Sequence, residues 1–377
     1  MSWRREKDTG LSMPESSSSN SKPQAGLKPA PGYVYDKIFL EHKTGAHPES
    51  EHRLEAIISD LDWKGIRSQL KRIPARAATM EELTTVHHPD YIKKIEEYCK
   101  AGGGWWDADT RLSESSYQAA LFAAGGSIAA VEAVIKKEVP CAYALIRPPG
   151  HHATATNAMG FCVFNNVAVA ANYALKNYNL ARILILDFDV HHGNGTQEAF
   201  THNPYVLYIS THQYPLFPGT GHLDEVLPYT PQSPEPHGTA INIPLPAGCR
   251  DREYLQVFDE IIIPACRRFK PELILVSSGY DGHWADEQSN MRLTLDGYYQ
   301  ITRIIKQLSD ELCEGKCVYC LEGGYNLQVL TNAINYTFNL WLGEKYNDDP
   351  FGPPPHDIEP HGVEAVIKEV KRRHGLY

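Results

Sequence analysis

The stretch Asp187-Phe188-Asp189-Val190-His191-His192-Gly193-Asn194-Gly195 decides the fold class of this chain. It directly follows Arg182 to Leu186, a mostly apolar run that is short enough to be a buried β-strand. In a doubly wound α/β sheet, ligand sites lie at the carboxyl ends of the strands. Two carboxylates, two imidazoles and two glycines in this position therefore indicate an α/β protein with a functional site at one edge of its sheet.

Further apolar runs end in polar or glycine-rich segments, which indicates more strands of the same kind. Helical patterns lie between them, at Ser116 to Lys136 and at Val167 to Lys176. Because strands that alternate with helices imply a parallel sheet, we expect the polar segments to meet at one edge of that sheet. The additional strands are expected at 142–146, 206–209, 273–276 and 317–321.

Three side chains at predicted strand ends are candidate zinc ligands. Asp189 and His191 lie two residues apart, so an extended backbone would point both to the same side. Asp281 follows another predicted strand and is the natural third ligand. Two carboxylates and one imidazole leave coordination positions open for water and a substrate carbonyl, which is typical of a catalytic zinc site.

A pair of adjacent histidines could supply the proton chemistry. His151 and His152 follow Pro148-Pro149-Gly150, which predicts a stiff turn. One imidazole could take a proton from water and the other could pass one to a departing amine. Asp187 and Asn194 are candidates to orient them, and the carboxylate should raise the pKa of its histidine relative to the other.

Aromatic residues near glycines are candidates for contacting the substrate. Tyr325 follows Gly323-Gly324, and its phenol could donate a hydrogen bond to a developing oxyanion. Phe161 follows Gly160, and Phe217 precedes a Pro-Gly turn. These two rings could wall a narrow tunnel for an alkyl chain, with ordinary core packing as the alternative. Gly160, Phe161, Phe217 and Gly323 are therefore the candidate substrate-binding residues.

Composition narrows the class of protein. The 377 residues carry a net charge of -10, which argues against direct nucleic-acid binding and suits cationic substrates. Residues 1–31 are rich in Ser, Pro, Lys and Glu and are expected to be a disordered tail, with one domain over 32–377. No run of about 18 apolar residues is evident, so we expect no membrane span.

The eight scattered cysteines, with no signal peptide before them, favour reduced thiols and a cytoplasmic location, or a nuclear one in a eukaryote. Cys313, Cys317 and Cys320 could form a metal site. The favoured interpretation is a helix end, a turn and a buried strand, because small thiols are common in protein cores.

Six motifs, in order along the chain, resemble those of the zinc-dependent histone deacetylase family. The similarity is greatest to the class II-like branch, which includes bacterial deacetylases and acetylpolyamine amidohydrolases, and Asn194 supports this placement. It extends over about residues 33–345. The motifs are Arg147–His152, Gly160–Asn166, Asp187–Gly195, Phe217–Gly221, Gly279–Asp281 and Glu322–Tyr325.

The resemblance implies a single-domain arginase/deacetylase fold, α/β in class, with a mostly parallel eight-stranded sheet flanked by helices. It implies zinc at Asp189, His191 and Asp281, paired histidines at 151 and 152, and Tyr325 as the group that polarises the carbonyl. It further suggests Phe161 and Phe217 as tunnel walls, Arg53 near an acetate exit, and a first rim loop at His47-Pro48-Glu49. A structural potassium ion is suggested at Asp187, Asp189, His191, Ser210 and Thr211.

The expected reaction is zinc-dependent hydrolysis of an N-acetyl or short N-acyl amide on lysine or a similar primary amine. The expected partners are an acetylated protein or peptide, or an acylated small amine such as an acetylpolyamine. Asp286-Glu287-Gln288 departs from the family pattern, and Gln288 stands about where polyamine-selective relatives have Glu. The rival hypotheses are a di-manganese hydrolase of arginase type and a non-catalytic module that binds acyl-lysine.

Overall fold

A sheet of eight parallel strands forms the centre of the computed structural model, which describes residues 29–225, 239–344, 349–355 and 359–376. A separate antiparallel pair of strands, Gly103–Trp105 and Arg111–Ser113, forms a hairpin. The strands are β1 (Gly32–Val34), β2 (Lys71–Ile73), β3 (Gly103–Trp105), β4 (Arg111–Ser113), β5 (Cys141–Ala144), β6 (Ile183–Asp187), β7 (Val206–Gln213), β8 (Thr239–Leu245), β9 (Leu273–Ser278) and β10 (Cys317–Leu321).

Helices cover the sheet and carry most of the connections between its strands. Short 3-10 segments lie at Lys37–Glu41, Arg67–Gln69 and Leu223–Glu225. A π-helical turn at Phe258–Ile262 joins two short α-helices. The α-helices are α1 (His52–Trp63), α2 (Met80–Leu83), α3 (Pro89–Lys100), α4 (Ser116–Ile135), α5 (Asn166–Tyr178), α6 (Asn194–Phe200), α7 (Asp251–Val257), α8 (Ile263–Phe269), α9 (Leu295–Cys313), α10 (Leu327–Leu342) and α11 (Val363–His374).

The strand order, β2-β1-β5-β10-β9-β6-β7-β8, explains why the site forms where it does. The central strands β5, β10, β9 and β6 are buried along their whole length, as expected for a parallel sheet covered on both faces. Because all of them run parallel, their carboxyl ends lie side by side at one edge. The predicted eight-stranded α/β arrangement is confirmed.

Helix α4 is the most apolar of the long helices that the structure describes. In the described part of the chain it is the one helix long and apolar enough to cross a membrane by length and composition, with a mean hydropathy of 1.6. Of that window, 72% is buried inside the fold. Alanine and glycine make α4 apolar without bulk, and Gln118, Ser127 and Glu132 interrupt it, so it is not an unbroken run of about 18 apolar residues.

The segment that contains Cys313, Cys317 and Cys320 has the helix-turn-strand conformation that was favoured over a metal site. Helix α9 ends at Cys313, Glu314 follows in a left-handed conformation with φ 57°, and β10 begins at Cys317. All eight cysteines are buried and unpaired. The helix-turn-strand prediction is therefore confirmed.

Strands β5, β6, β7, β9 and β10 and helices α4 and α5 were predicted to within a few residues, whereas β1, β2, β8 and the hairpin were not predicted. Strands β1 and β2 have three residues each, which is too short for a periodic pattern to show. Of the predicted N-terminal tail, residues 1–28 lie outside the described residues.

Candidate active site

The three candidate metal ligands converge at the carboxyl ends of β6 and β9. Nδ1 of His191 lies 3.1 Å from Oδ1 of Asp189 and 3.1 Å from Oδ2 of Asp281. One ligand atom from each residue falls within 4.8 Å of the others. An extended backbone was expected to bring Asp189 and His191 to the same side. That reason was wrong, because residues 189–191 form a bend. Oδ1 of Asp189 accepts the His191 N–H at 2.9 Å and stabilises that bend.

The charges in this cluster suit a divalent cation. Burial and the nearby Asp189 carboxylate together raise the pKa of Asp281 to about 6, against the lowering effect of His191. Burial alone would lower the pKa of His191, but hydrogen bonds and charges from both carboxylates raise it to about 10. Two buried carboxylates beside a single imidazole form an oxygen-oxygen-nitrogen donor set of the kind that zinc takes.

The adjacent histidines have different partners, and these are the partners expected from the sequence. Nδ1 of His151 lies 3.0 Å from Oδ2 of Asp187, and Nδ1 of His152 lies 2.8 Å from Oδ1 of Asn194. Their ring centroids are 4.0 Å apart.

The pKa values of these histidines shift in opposite directions. Burial would lower the pKa of His151, but the charges of Asp187 and Asp189 raise it to about 10. For His152, burial together with the nearby His151 and His191 holds the pKa well below its ordinary value. One ring is therefore suited to hold a proton and the other to accept one.

A narrow pocket of about 120 Å³ leads to this cluster, with Phe161 and Phe217 among its walls. Phe161 packs edge-on against Tyr325 at 5.7 Å between ring centroids, and Phe217 packs edge-on against His152 at 5.1 Å. Gly160 has φ +54°, and a Cβ there would collide with the rings of His152 and Phe217. Other residues that line the pocket are Asp109, Pro149, His151, Cys162, Asp189, His191, Gln288 and Gly323.

Tyr325 is held at the pocket by contacts on two sides. The guanidinium carbon of Arg53 lies 5.0 Å from the centroid of its ring. Oδ2 of Asp286 accepts the backbone N–H groups of Tyr325 at 2.6 Å and Asn326 at 2.9 Å. Burial raises the pKa of Tyr325 well above its ordinary value, so the phenol keeps its proton and can donate it in a hydrogen bond.

Gly323 allows β10 to approach the candidate metal ligands closely. Its backbone N–H donates to Oδ2 of Asp189 at 2.8 Å. A Cβ at this position would collide with carboxylate oxygens of Asp189 and Asp281. The glycine is therefore required by space.

Of the residues suggested for potassium, Asp187 lies on β6, Ser210 and Thr211 lie on β7, and Asp189 and His191 lie in the bend after β6. Asp187 and Ser210 are register partners on these adjacent strands. Oγ of Ser210 lies 2.9 Å from Nδ1 of His212. Oγ1 of Thr211 is buried and has no hydrogen-bond partner among the described residues, which leaves an oxygen available to a cation.

Several supporting residues were missed by sequence reasoning or noted only as parts of motifs. Arg53 donates to the carbonyl oxygens of Gly324 at 2.8 Å and Glu322 at 2.5 Å. Asp286 was noted only as a departure from the family pattern, although it holds the Tyr325 segment. The Asp286 contact spans 39 positions and the Arg53 contacts about 270, so no local pattern could have revealed them.

Comparison with known proteins points to one family. The family model described as "Histone deacetylase domain" matches residues 47–341. The chain is 38% identical over 356 residues to "Histone deacetylase 14, chloroplastic" of Arabidopsis thaliana, covering 89% of this chain and 83% of that protein. It is 40% identical over 309 residues to a "Probable deacetylase" of Archaeoglobus fulgidus, covering 81% and 83%. The crystal structure of the HDA15 HD domain matches with a TM-score of 0.81 and 32% identity, covering 92% of this chain and 95% of that one.

Proposed function

The chain belongs to the histone deacetylase family, and we propose that it uses zinc to hydrolyse an N-acetyl or short N-acyl amide on lysine or a similar primary amine. One observation carries the proposal. A single pocket is lined by members of the candidate metal cluster, by two histidines with different partners and by a protonated tyrosine. Amide hydrolysis needs a polarised carbonyl, an activated water and a proton for the departing amine, and these groups supply all three.

Asp189, His191 and Asp281 would hold the zinc ion, as their convergence and charges support. When bound, zinc would polarise the substrate carbonyl and lower the pKa of the attacking water. The other group of metal-type side chains found among the described residues is His151, Cys162 and Glu322. That group includes a proposed proton-transfer histidine and a thiol, so it does not favour the carboxylate-rich second site of a di-manganese enzyme.

The two histidines would divide the proton transfers. His152, which is neutral and faces the amide oxygen of Asn194, is suited to accept a proton from the attacking water. His151, which is held protonated by Asp187, is suited to donate a proton to the departing amine nitrogen. Each Nδ1 is already engaged by its partner, so each ring presents Nε2 for this chemistry.

Tyr325 and the two phenylalanines would orient the substrate. The phenol of Tyr325 would donate a hydrogen bond to the carbonyl oxygen as negative charge develops there. The rings of Phe161 and Phe217 would pack against an alkyl chain and exclude water from around it. Gln288 lines the same pocket and is neutral, so it offers no charge to attract the second amine of a polyamine. An acyl-lysine substrate is therefore favoured over an acetylpolyamine.

We further propose a potassium ion bound by Asp187 and its neighbours Ser210 and Thr211, together with Asp189 and His191. The unpartnered hydroxyl of Thr211 and the buried carboxylate of Asp187 support it. Titrating the protein with potassium in a sodium-free buffer should raise its thermal stability. A response equal to that with an organic cation would argue against a dedicated site.

The test of the main proposal compares rates on an acetyl-lysine peptide, acetylputrescine and longer acyl-lysine peptides. The protein is assayed as purified, after chelation, and after zinc is added back. We expect turnover of acyl-lysine that chelation abolishes and zinc restores. If no substrate in the panel shows zinc-dependent turnover, the proposed hydrolysis is wrong, and hydroxamate binding without turnover would favour a binding module.

A further inference from the structure

Glu322 is a buried carboxylate that has no part in the chemistry proposed above. It is the first residue after β10 and has no exposed surface. Its Oε2 accepts the backbone N–H groups of Gly150 at 2.7 Å and His151 at 3.2 Å. Its Oε1 accepts a hydrogen bond from Oγ of Ser277 at 3.2 Å. The carboxylate therefore contacts the turn that carries the histidine pair.

The backbone around Glu322 contacts the rest of the site. Its carbonyl oxygen accepts a hydrogen bond from Nη2 of Arg53 at 2.5 Å. The next residue, Gly323, donates its N–H to Asp189. Two residues further on, Tyr325 enters the pocket. Glu322 thus connects the histidine turn directly to the segment that carries a ligand contact and the tyrosine.

We propose that Glu322 is a positioning residue that sets the placement of His151 and His152 through the two backbone N–H groups it accepts. The proposal rests on the function proposed above and deepens it. A buried N–H that loses its acceptor is destabilising, so the turn will move to regain a partner. Because proton transfer depends closely on distance, a displacement of about 1 Å at the imidazoles can cost about 100-fold in rate.

The carboxylate could act through its charge or through its accepting oxygen, and two substitutions separate these effects. Glu322→Gln removes the charge and keeps an oxygen that can accept both N–H groups. Glu322→Ala removes the charge and the acceptor together. If positioning is the role, glutamine retains most of the activity and alanine does not.

The experiment measures kcat, KM, zinc content and thermal stability for the wild type, the two Glu322 variants and a matched control. The control is Glu253→Ala, which removes a buried carboxylate that accepts the backbone N–H of Arg250 at 2.8 Å, at the start of α7. We expect Glu322→Ala to lower kcat by about 100-fold with KM and zinc content unchanged. We expect Glu322→Gln to stay within about 5-fold of the wild type, and Glu253→Ala to lose stability without losing kcat.

A second measurement does not depend on turnover. Spectra of the isotope-labelled histidine rings, with the His151 and His152 signals assigned by substitution, report the placement of both imidazoles. Both signals should shift in Glu322→Ala and stay in place in Glu322→Gln and Glu253→Ala.

The ring signals test the positioning role of Glu322, and the activity of the wild type tests the proposed reaction. Unmoved ring signals in Glu322→Ala overturn the positioning role, even if the wild type proves inactive on every substrate. An inactive wild type with shifted signals in Glu322→Ala defeats the proposed reaction and leaves the positioning intact. Equal losses of kcat in Glu322→Gln and Glu322→Ala show that charge is what counts, and the positioning proposal is then wrong.

Discussion

Arg147 and Glu49 form a two-point ion pair in which neither side chain has any exposed surface. Nε of Arg147 lies 2.5 Å from Oε1 of Glu49, and Nη2 lies 2.8 Å from Oε2. The same carboxylate contacts Nη1 of Arg53 at 3.2 Å. Arg147 begins the segment that leads to the histidine pair, and Arg53 holds the carbonyl oxygens next to Tyr325. This one carboxylate therefore joins the arginine that precedes the histidine turn to the arginine that holds the Tyr325 segment.

This pair should make stability depend on pH. Burial by itself would raise the pKa of Glu49, but the charge of Arg147 and hydrogen bonds from His42 and Arg147 hold it well below 4.5. A carboxyl whose pKa is depressed on folding adds stability above its unfolded pKa and loses it as the pH falls through the folded value. Stability should therefore be full at pH 7 and decline progressively below about pH 4.5.

Glu49→Gln should lower the free energy of unfolding by about 3–5 kcal/mol at pH 7, because it leaves buried guanidinium charge unpaired. Its stability should also fall less steeply with acid than that of the wild type. Urea unfolding from pH 7 down to about pH 3 measures both effects, and the difference between the two proteins removes the contribution of zinc release. Glu311→Gln, at an exposed pair with Arg267, should change stability by less than about 1 kcal/mol. Parallel curves for the wild type and Glu49→Gln would contradict the assignment.

Asp281→Asn should remove zinc and activity together. The substitution keeps the size of the side chain but takes away one of two carboxylates that face His191. Substitution of a residue that only supports a metal ligand typically lowers metal affinity or activity by about 10–100-fold. Loss of a direct ligand should therefore lower the rate by more than about 100-fold. Metal analysis and the deacetylase assay on the same sample make the test. Asp251→Asn, which affects a carboxylate that accepts a hydrogen bond from Thr294, should keep its zinc. Full zinc content with full rate in Asp281→Asn would rule Asp281 out as a ligand.

Tyr325→Phe should lower kcat with little effect on zinc content. The ring would still pack against Phe161, and only the hydroxyl that we propose as a donor to the carbonyl oxygen would be lost. Removal of one such donor typically costs about 100- to 1,000-fold in kcat. Steady-state kinetics at saturating zinc measure the loss. Tyr98→Phe is the matched control, because its hydroxyl donates to the carbonyl of Trp105 outside the pocket. A kcat within a few-fold of the wild type would show that the phenol does not act on the carbonyl.

Phe217→Ala should weaken substrate binding more than it slows the chemistry. The ring is 39% exposed and forms one wall of the pocket, so its loss removes apolar contact with the substrate chain. Loss of about 1–2 kcal/mol of such contact corresponds to about a 10-fold rise in KM for an acyl-lysine peptide. Trp63→Ala, which removes an aromatic side chain that is 82% exposed away from the pocket, should leave KM unchanged. If Phe217→Ala and Trp63→Ala have the same KM, the alkyl chain of the substrate does not pass Phe217.

Some features of the site could be predicted because they depend on neighbouring residues. Strand β6 is visible as an apolar run, and the acids and histidines that follow it have an unusual composition. Asp187 and Asn194 could be named as candidate partners of the two histidines, and the structure decided which of them contacts which ring. The convergence of Asp189 and His191 was predicted for the wrong reason, since it depends on a bend that the Asp189 carboxylate itself stabilises.

Other features could not be predicted because they join distant segments. The carboxylate of Glu322 reaches the N–H of Gly150 across 172 positions, and Glu49 reaches Arg147 across 98. Such contacts depend on which strands become neighbours in the sheet. Glu322 and Glu49 were both noted as members of motifs, but nothing in those motifs shows which partner either carboxylate meets.

By itself, the sequence determined the alternation of buried strands with helices and the kind of chemistry available at the strand ends, because hydrophobicity and side-chain type are local properties. Only the tertiary structure decided which buried charge meets which partner. The order β5-β10-β9-β6 brings four separate strand ends to one pocket, and burial there shifts the pKa values of the two adjacent histidines in opposite directions. These shifts arise from charges and desolvation contributed by residues far apart in the chain, and they exist only once the sheet has formed.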